Sequence, residues 1–204
     1  MEIYLIRHTS VDVPAGYAYG QTDVALRPTF EGEAEKVKAS LNGLTFDQVW
    51  CSPLTRCVRL AHYCGYPDAT REDRIKELNF GEWEMKSWEE LSSDLRSEVW
   101  FNDWINVQTP SGESLMDQYN RVSSFLDELR KSGLEKVCLF AHGGVLTCAR
   151  VYAGEYDIKD AFKVSPAVWF WTEKSPATPR SVSYATEWLS TPANSTRSNA
   201  SRTT

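Results

Sequence analysis

Ile3-Tyr4-Leu5-Ile6-Arg7-His8-Thr9 runs four apolar residues straight into an arginine and a histidine. An uninterrupted apolar run this short predicts a strand buried on both faces, as in parallel sheets covered by helices. Ligands of open α/β sheets bind beyond the carboxyl ends of the strands, which is where Arg7 and His8 fall. Alone, the dipeptide favours the plainer reading of a strand capped at the surface. A second run, Val137-Cys138-Leu139-Phe140-Ala141, reverses that balance because it ends in His142-Gly143-Gly144. Two of the three histidines thus close two predicted buried strands.

Working outward from the first strand, Ser10 to Thr29 is irregular, with Pro14, Gly16, Gly20 and Pro28. Loops of that length inside compact domains are usually functional, and its chemical contents are Tyr17, Tyr19, Gln21, Thr22 and Asp23. Phe30, Ala34, Val37 and Leu41 predict a helix ended by Gly43. Phe46 to Cys51 reads as a strand, followed by Ser52 as N-cap and Pro53 as first residue of a helix with Leu54, Val58 and Ala61 on one face. Arg56 would then occupy a first turn, beside N–H groups that favour anions, at the same sheet edge as Arg7. That position favours a functional arginine over a solvated one.

Arg74 to Glu84 reads as a loop with three carboxylates, Glu77, Glu82 and Glu84, among which spacing does not choose. Ser87-Trp88-Glu89-Glu90 is a capping box, predicting a helix with Trp88, Leu91, Leu95 and Val99 on one side. Trp100, Phe101 and Trp104 could form a lid stacking on a heterocycle, although aromatic clusters more often pack against the body. Pro110 to Ser114 is a turn, and Leu115, Tyr119, Val122, Leu126 and Leu129 predict a helix reaching Gly133. After His142, residues Gly143 to Ala153 read as a helix whose first N–H groups, at Gly143 and Gly144, are free. Strands at 167–172 and 181–188, separated by Pro176 and Pro179, would complete one sheet edge. The sum is an α/β three-layer α/β/α sandwich with a mostly parallel sheet.

With 204 residues and 42% hydrophobic content, one domain is expected over 1–189, with a helical lid insertion at about 83–112. The polar tail 190–204 has too little apolar content to offset its own ordering and reads as disordered. A net charge of −6 argues against nucleic-acid or membrane-surface partners, which need a basic patch. Five cysteines, an odd number placed on predicted strands and helices, fit reduced buried thiols better than disulfides, and Cys51, Cys57 and Cys64 lack zinc-site spacing. Met1-Glu2 opens directly onto a core strand and no apolar run approaches the roughly twenty residues that span a bilayer, so a cytoplasmic protein is expected.

Two histidines, two arginines and an acidic loop at one sheet edge describe an anion pocket with a nucleophile. Arginine forks match phosphate oxygens, and fixed cations supply most of what phosphoryl transfer needs. A neutral imidazole can attack phosphorus, and a carboxylic acid can protonate the leaving oxygen. Neither a Walker-type loop nor a magnesium cage occurs, which disfavours a nucleotide-driven kinase; no metal and no cofactor is expected.

Leu5-Ile6-Arg7-His8-Thr9 resembles the Arg-His signature of the histidine phosphatase superfamily, with its phosphoglycerate mutase-like fold. Cys51-Ser52-Pro53-Leu54-Thr55-Arg56-Cys57 resembles its second arginine motif, Glu77 to Glu84 its acid loop, and Ala141-His142-Gly143-Gly144 its second-histidine motif, together covering residues 1 to 150. The resemblance implies that His8 is the phosphorylated nucleophile and Glu77 the general acid and base. It also implies that Arg7, Arg56 and His142 hold the phosphoryl group, with a backbone N–H from Gly143. Arg7 to Asp12, followed by Tyr19-Gly20-Gln21-Thr22-Asp23, most resembles the α-ribazole phosphatase branch, which removes the 5'-phosphate of α-ribazole phosphate in cobalamin assembly. That likeness would put Gln21 and Thr22 near the phosphate of a small phosphomonoester. Met85 departs from the pattern, because many relatives carry glycine after the position of Glu84. Alternatives on the same scaffold are a phosphoglycerate mutase, a sugar (bis)phosphatase or a broad-specificity phosphatase. A non-catalytic phospholigand binder is disfavoured because His8 and Glu77 are both retained.

Overall fold

A computed structural model of the chain describes residues 1–163 and 169–172. Strand β1 (Glu2–Arg7) lies inside a five-stranded sheet with β2 (Gln48–Cys51), β3 (Thr70–Arg71), β4 (Lys136–Ala141) and β5 (Trp169–Thr172), in the order β3-β2-β4-β1-β5. All neighbours are parallel except β5, which runs antiparallel to β1 at one edge. The rest of the late pair, residues 181–188 with the proline turn before them, and the tail 190–204 lie outside the described residues.

Alternation along the central strands divides the core. Ile3, Leu5, Val137, Leu139 and Ala141 face α5 (Leu115–Lys131) and α6 (Gly143–Tyr152), packing on Val122, Phe125, Leu126 and Leu146. Ile6, Cys138 and Phe140 point the other way, onto Phe30 and Ala34 of α1 (Phe30–Ser40) and Cys57, Leu60 and Ala61 of α2 (Thr55–Tyr63). Helices therefore cover both faces, which explains why β1 and β4 read as unbroken apolar runs. All five cysteines are free and buried.

Three local expectations change. Helix α2 begins at Thr55, with Leu54 at its N-cap, so Ser52 is not the cap. The capping role passes to Asp23 of the long loop, which accepts bonds from the Thr55 N–H (3.0 Å) and hydroxyl. The second strand starts at Gln48 rather than Phe46, and β3 is too short to leave a periodic signal. The helix expected from Trp88 through Val99 is two helices, α3 (Trp88–Leu91) and α4 (Leu95–Asn102). The Ser87–Glu90 capping box forms, but Asp94 then accepts from the Arg96 N–H and restarts the chain in a new direction. Leu91 and Trp100 turn inward, whereas Leu95 and Val99 are 87% and 59% exposed.

Trp83, Leu91, Trp100 and Ala18 form a separate small core with Phe80 and Trp88 against it. Trp88 stacks on Trp100 at 5.8 Å between centroids, and Trp83 meets Trp100 edge-on at 5.6 Å. Of the cluster Trp100, Phe101 and Trp104, Trp100 is nearly buried and packs on the fully buried Trp83, Trp104 is partly buried against the same core, and Phe101 is 49% exposed. Met85 sits at φ +61°, a left-handed conformation that costs a non-glycine residue about 1 kcal/mol and that glycine, the residue of the family pattern at this position, would adopt freely.

Candidate active site

The register between β1 and β4 assembles the site. Arg7 pairs with Ala141, and the ladder continues one step further as the His8 N–H donates to the Ala141 carbonyl at 3.1 Å. Both histidines thereby leave adjacent strands side by side, with ring centroids 5.2 Å apart. On the other side of β4, the Ser52 N–H donates to Phe140, bringing the β2–α2 turn to the same edge.

His8 is buried, and its Nδ1 lies 2.7 Å from the Thr9 carbonyl. A carbonyl can only accept, so Nδ1 carries the hydrogen and Nε2 keeps its lone pair. Burial, assisted by the positive charges of Arg56 and Arg7, lowers the His8 pKa to about 4, against the partial opposition of Thr9 and Glu77. The ring is neutral at pH 7 with a free basic nitrogen, the form a nucleophile needs.

Arg56 is fully buried in the first turn of α2. Its Nη1 donates to the Thr22 carbonyl at 3.0 Å, its Nη2 to the Gly20 carbonyl at 2.5 Å and its Nε to His142 Nδ1 at 3.3 Å. Of five N–H groups, two remain for a ligand. Because Nδ1 accepts, His142 Nε2 carries the hydrogen and donates to Ser52 Oγ at 2.7 Å. Both ring nitrogens of His142 are thus engaged within the protein, and burial next to Arg56 and His8 holds it neutral, its pKa well below the usual imidazole range. Cys57 packs on the same ring with its sulfur 3.5 Å from Nε2, and burial pushes its thiol pKa far up, leaving it unreactive. The Arg7 side chain forms no hydrogen bond or ion pair among the described residues.

Glu77 enters from the loop before the Gly81 turn. Its Oε1 accepts from the Leu78 N–H and from Gln118 Nε2, both at 3.0 Å, and its Oε2 from the Gly144 N–H at 3.2 Å. Gly144 permits this approach, since a Cβ there would lie 2.3 Å from Glu77 Oε1. Arg121 of α5 holds the loop itself. Its five N–H bonds go to the carbonyls of Arg74, Lys76 and Glu77 and to both oxygens of Glu113. Glu82 pairs with Arg96 on the surface, away from this cluster.

Glu84 does a different job. Burial alone would push its carboxyl up, but the N–H groups of Gly20, Gln21 and Phe80 and the Thr22 hydroxyl outweigh that and hold it ionised. The long loop presents N–H groups to Glu84 and the carbonyls of Gly20 and Thr22 to Arg56, so it is clamped between an anion and a cation. The Thr22 hydroxyl is committed to Glu84, and the Gln21 amide donates to the Glu77 carbonyl at 3.0 Å. Sequence reading missed Ser52, Gln118 and Arg121 as partners of the site. Gln118 left a signal, because it falls within the apolar stripe Leu115, Val122, Phe125 and Leu126 of α5.

The family model of the histidine phosphatase superfamily (branch 1) matches residues 3–185. An adenosylcobalamin/α-ribazole phosphatase of Salmonella typhimurium is 29% identical over 154 residues, covering 72% of this chain and 76% of the relative. Phosphoserine phosphatase 1 of Hydrogenobacter thermophilus is 29% identical over 137 residues, covering 64% of this chain and 65% of the relative. Among solved structures, a phosphoglycerate mutase of Thermus thermophilus is 30% identical with a TM-score of 0.60, covering 72% of this chain and 81% of that one.

Proposed function

The chain belongs to the histidine phosphatase superfamily, and from that premise we propose that it hydrolyses a small phosphomonoester through a phosphohistidine at His8, with α-ribazole 5'-phosphate as its substrate. One observation carries the chemistry: His8 is a neutral Nδ1–H tautomer whose Nε2 bonds to none of the described residues, in the field of Arg56 and Arg7.

In the first step the Nε2 lone pair attacks phosphorus and the ester P–O bond breaks. The departing oxygen takes the proton of Glu77, leaving the alcohol product and a carboxylate. Arg7 and the two spare N–H groups of Arg56 neutralise the phosphoryl oxygens, with His142 and the first-turn N–H of Gly143 bordering the same space. Ser52 and His142 orient the Arg56 fork. In the second step Glu77 takes a proton from water, whose oxygen attacks phosphorus as the P–N bond breaks, and inorganic phosphate leaves. Gln21 and Thr22 serve this reading by holding the loop that fixes Arg56 and Glu77.

Three relatives of nearly equal identity act, by their names, on three different substrates, so the choice among them is a question of kcat/KM. The test is phosphate release from α-ribazole 5'-phosphate, phosphoserine, 3-phosphoglycerate and fructose bisphosphates, with chelator present. A preference of about a hundredfold for the ribazole ester, about 2.7 kcal/mol in transition-state binding, is expected. A flat profile would refute the substrate and leave the chemistry standing. The mutase alternative predicts phosphoryl transfer to a second phosphoglycerate faster than to water.

A further inference from the structure

Gln118 is fully buried on α5 and faces Glu77, and its own Oε1 is buried with no hydrogen-bond partner among the described residues. Leaving a buried amide oxygen unpaired costs about 1–3 kcal/mol, so an apolar residue at this stripe position would serve packing better. Against the ionised carboxylate, reversing the amide would not help, because it would set two oxygens against each other at the 3.0 Å contact with Glu77 and leave the amide NH2 where Oε1 now finds no partner. The glutamine is therefore held with its donor toward Glu77.

Each carboxylate oxygen accepts two bonds in the carboxyl plane. On Oε1 both places are taken, by Leu78 N–H and Gln118 Nε2, whereas on Oε2 only one is taken, by Gly144 N–H. Without Gln118 the two oxygens would be equivalent, each holding one backbone N–H. We infer that Gln118 is a positioning residue that confines the exchangeable proton of Glu77 to Oε2, so that one oxygen gives it to the leaving group and takes it back from water. This rests on the reading of Glu77 as general acid and base.

The experiment is a double-mutant cycle between Gln118→Met, which keeps volume and removes the donor, and Glu77→Gln, read with two aryl phosphates. Phenyl phosphate needs its leaving oxygen protonated, and 2,4-dinitrophenyl phosphate does not. Gln118→Met should lower kcat/KM for phenyl phosphate about tenfold and for the dinitrophenyl ester less than about twofold. In the Glu77→Gln background it should have no further effect on either. Equal losses on both esters, or the same loss in the Glu77→Gln background, would make Gln118 a packing residue and overturn the inference. If Gln118→Met does not fold, Gln118→Leu, which also removes the donor and fits the apolar stripe of α5, replaces it in the cycle under the same criteria. Should Glu77→Gln itself slow both esters equally, the reading of Glu77 falls and this inference with it; a selective loss for Glu77→Gln beside a uniform one for Gln118→Met sinks the inference alone.

Discussion

At the sheet edge, side chains are aimed by hydrogen-bonded backbone: His8 and His142 leave two parallel strands in register, and Arg56 is tied to two loop carbonyls. In residues 83–112 the chain has no sheet to lean on, and short helices are held by N-caps at Ser87 and Asp94 and by the packed rings of Trp83, Trp88 and Trp100. The first region spends buried polar groups and an unpaired glutamine oxygen on geometry. The second contributes packing, and leaves Leu95 and Val99 in solvent. Changes at the edge should therefore act on rate, and changes in the aromatic segment on stability.

The sharpest test of that division is His8→Ala, expected to reduce phosphate release at least about 10⁴-fold with little change in urea midpoint. Residual turnover within tenfold of the native enzyme would break it. Trp100→Ala comes next and should cost about 3–5 kcal/mol in unfolding free energy, with kcat of the folded fraction changed only a few-fold. A large selective loss of kcat would move the aromatic segment into the machinery.

Protonation couples the two measures at the edge. His8 titrates near 4 when folded and near 6.5 when unfolded, so between those values the unfolded chain binds more protons. Stability should fall as pH drops from 6.5 towards 4, and His142 acts in the same direction. Urea unfolding at pH 7 and pH 4.5 should show the decline, with a smaller difference in His8→Asn; an unchanged difference in that variant would refute the assignment. The smallest effect is expected for Met85→Gly, which relieves the left-handed backbone and should add about 0.5–1 kcal/mol without altering kcat/KM.

Much was legible in the chain itself. The runs at β1 and β4 announced a doubly covered sheet because both strand faces must be apolar, and Arg7, His8, Arg56 and His142 could be placed at its edge because strand ends and helix starts are local events. The acid loop was ambiguous for the opposite reason: Glu77, Glu82 and Glu84 differ in what folds against them, not in their neighbours along the chain. Only tertiary structure sends Glu84 to the N–H groups of Gly20 and Gln21, Glu82 to Arg96, and Glu77 to Gly144 and Gln118. The break between α3 and α4 escaped because apolar spacing continued through it while the Asp94 cap redirected the backbone. Periodicity and caps are properties of a few consecutive residues, so the sequence by itself determined most of the elements and the sheet edge, though not β3 or the break between α3 and α4. Hydrogen-bond partners forty to ninety residues apart, such as Gln118 with Glu77 and Ser52 with His142, exist only once the sheet has closed, and they decide which carboxylate and which nitrogen are free to react.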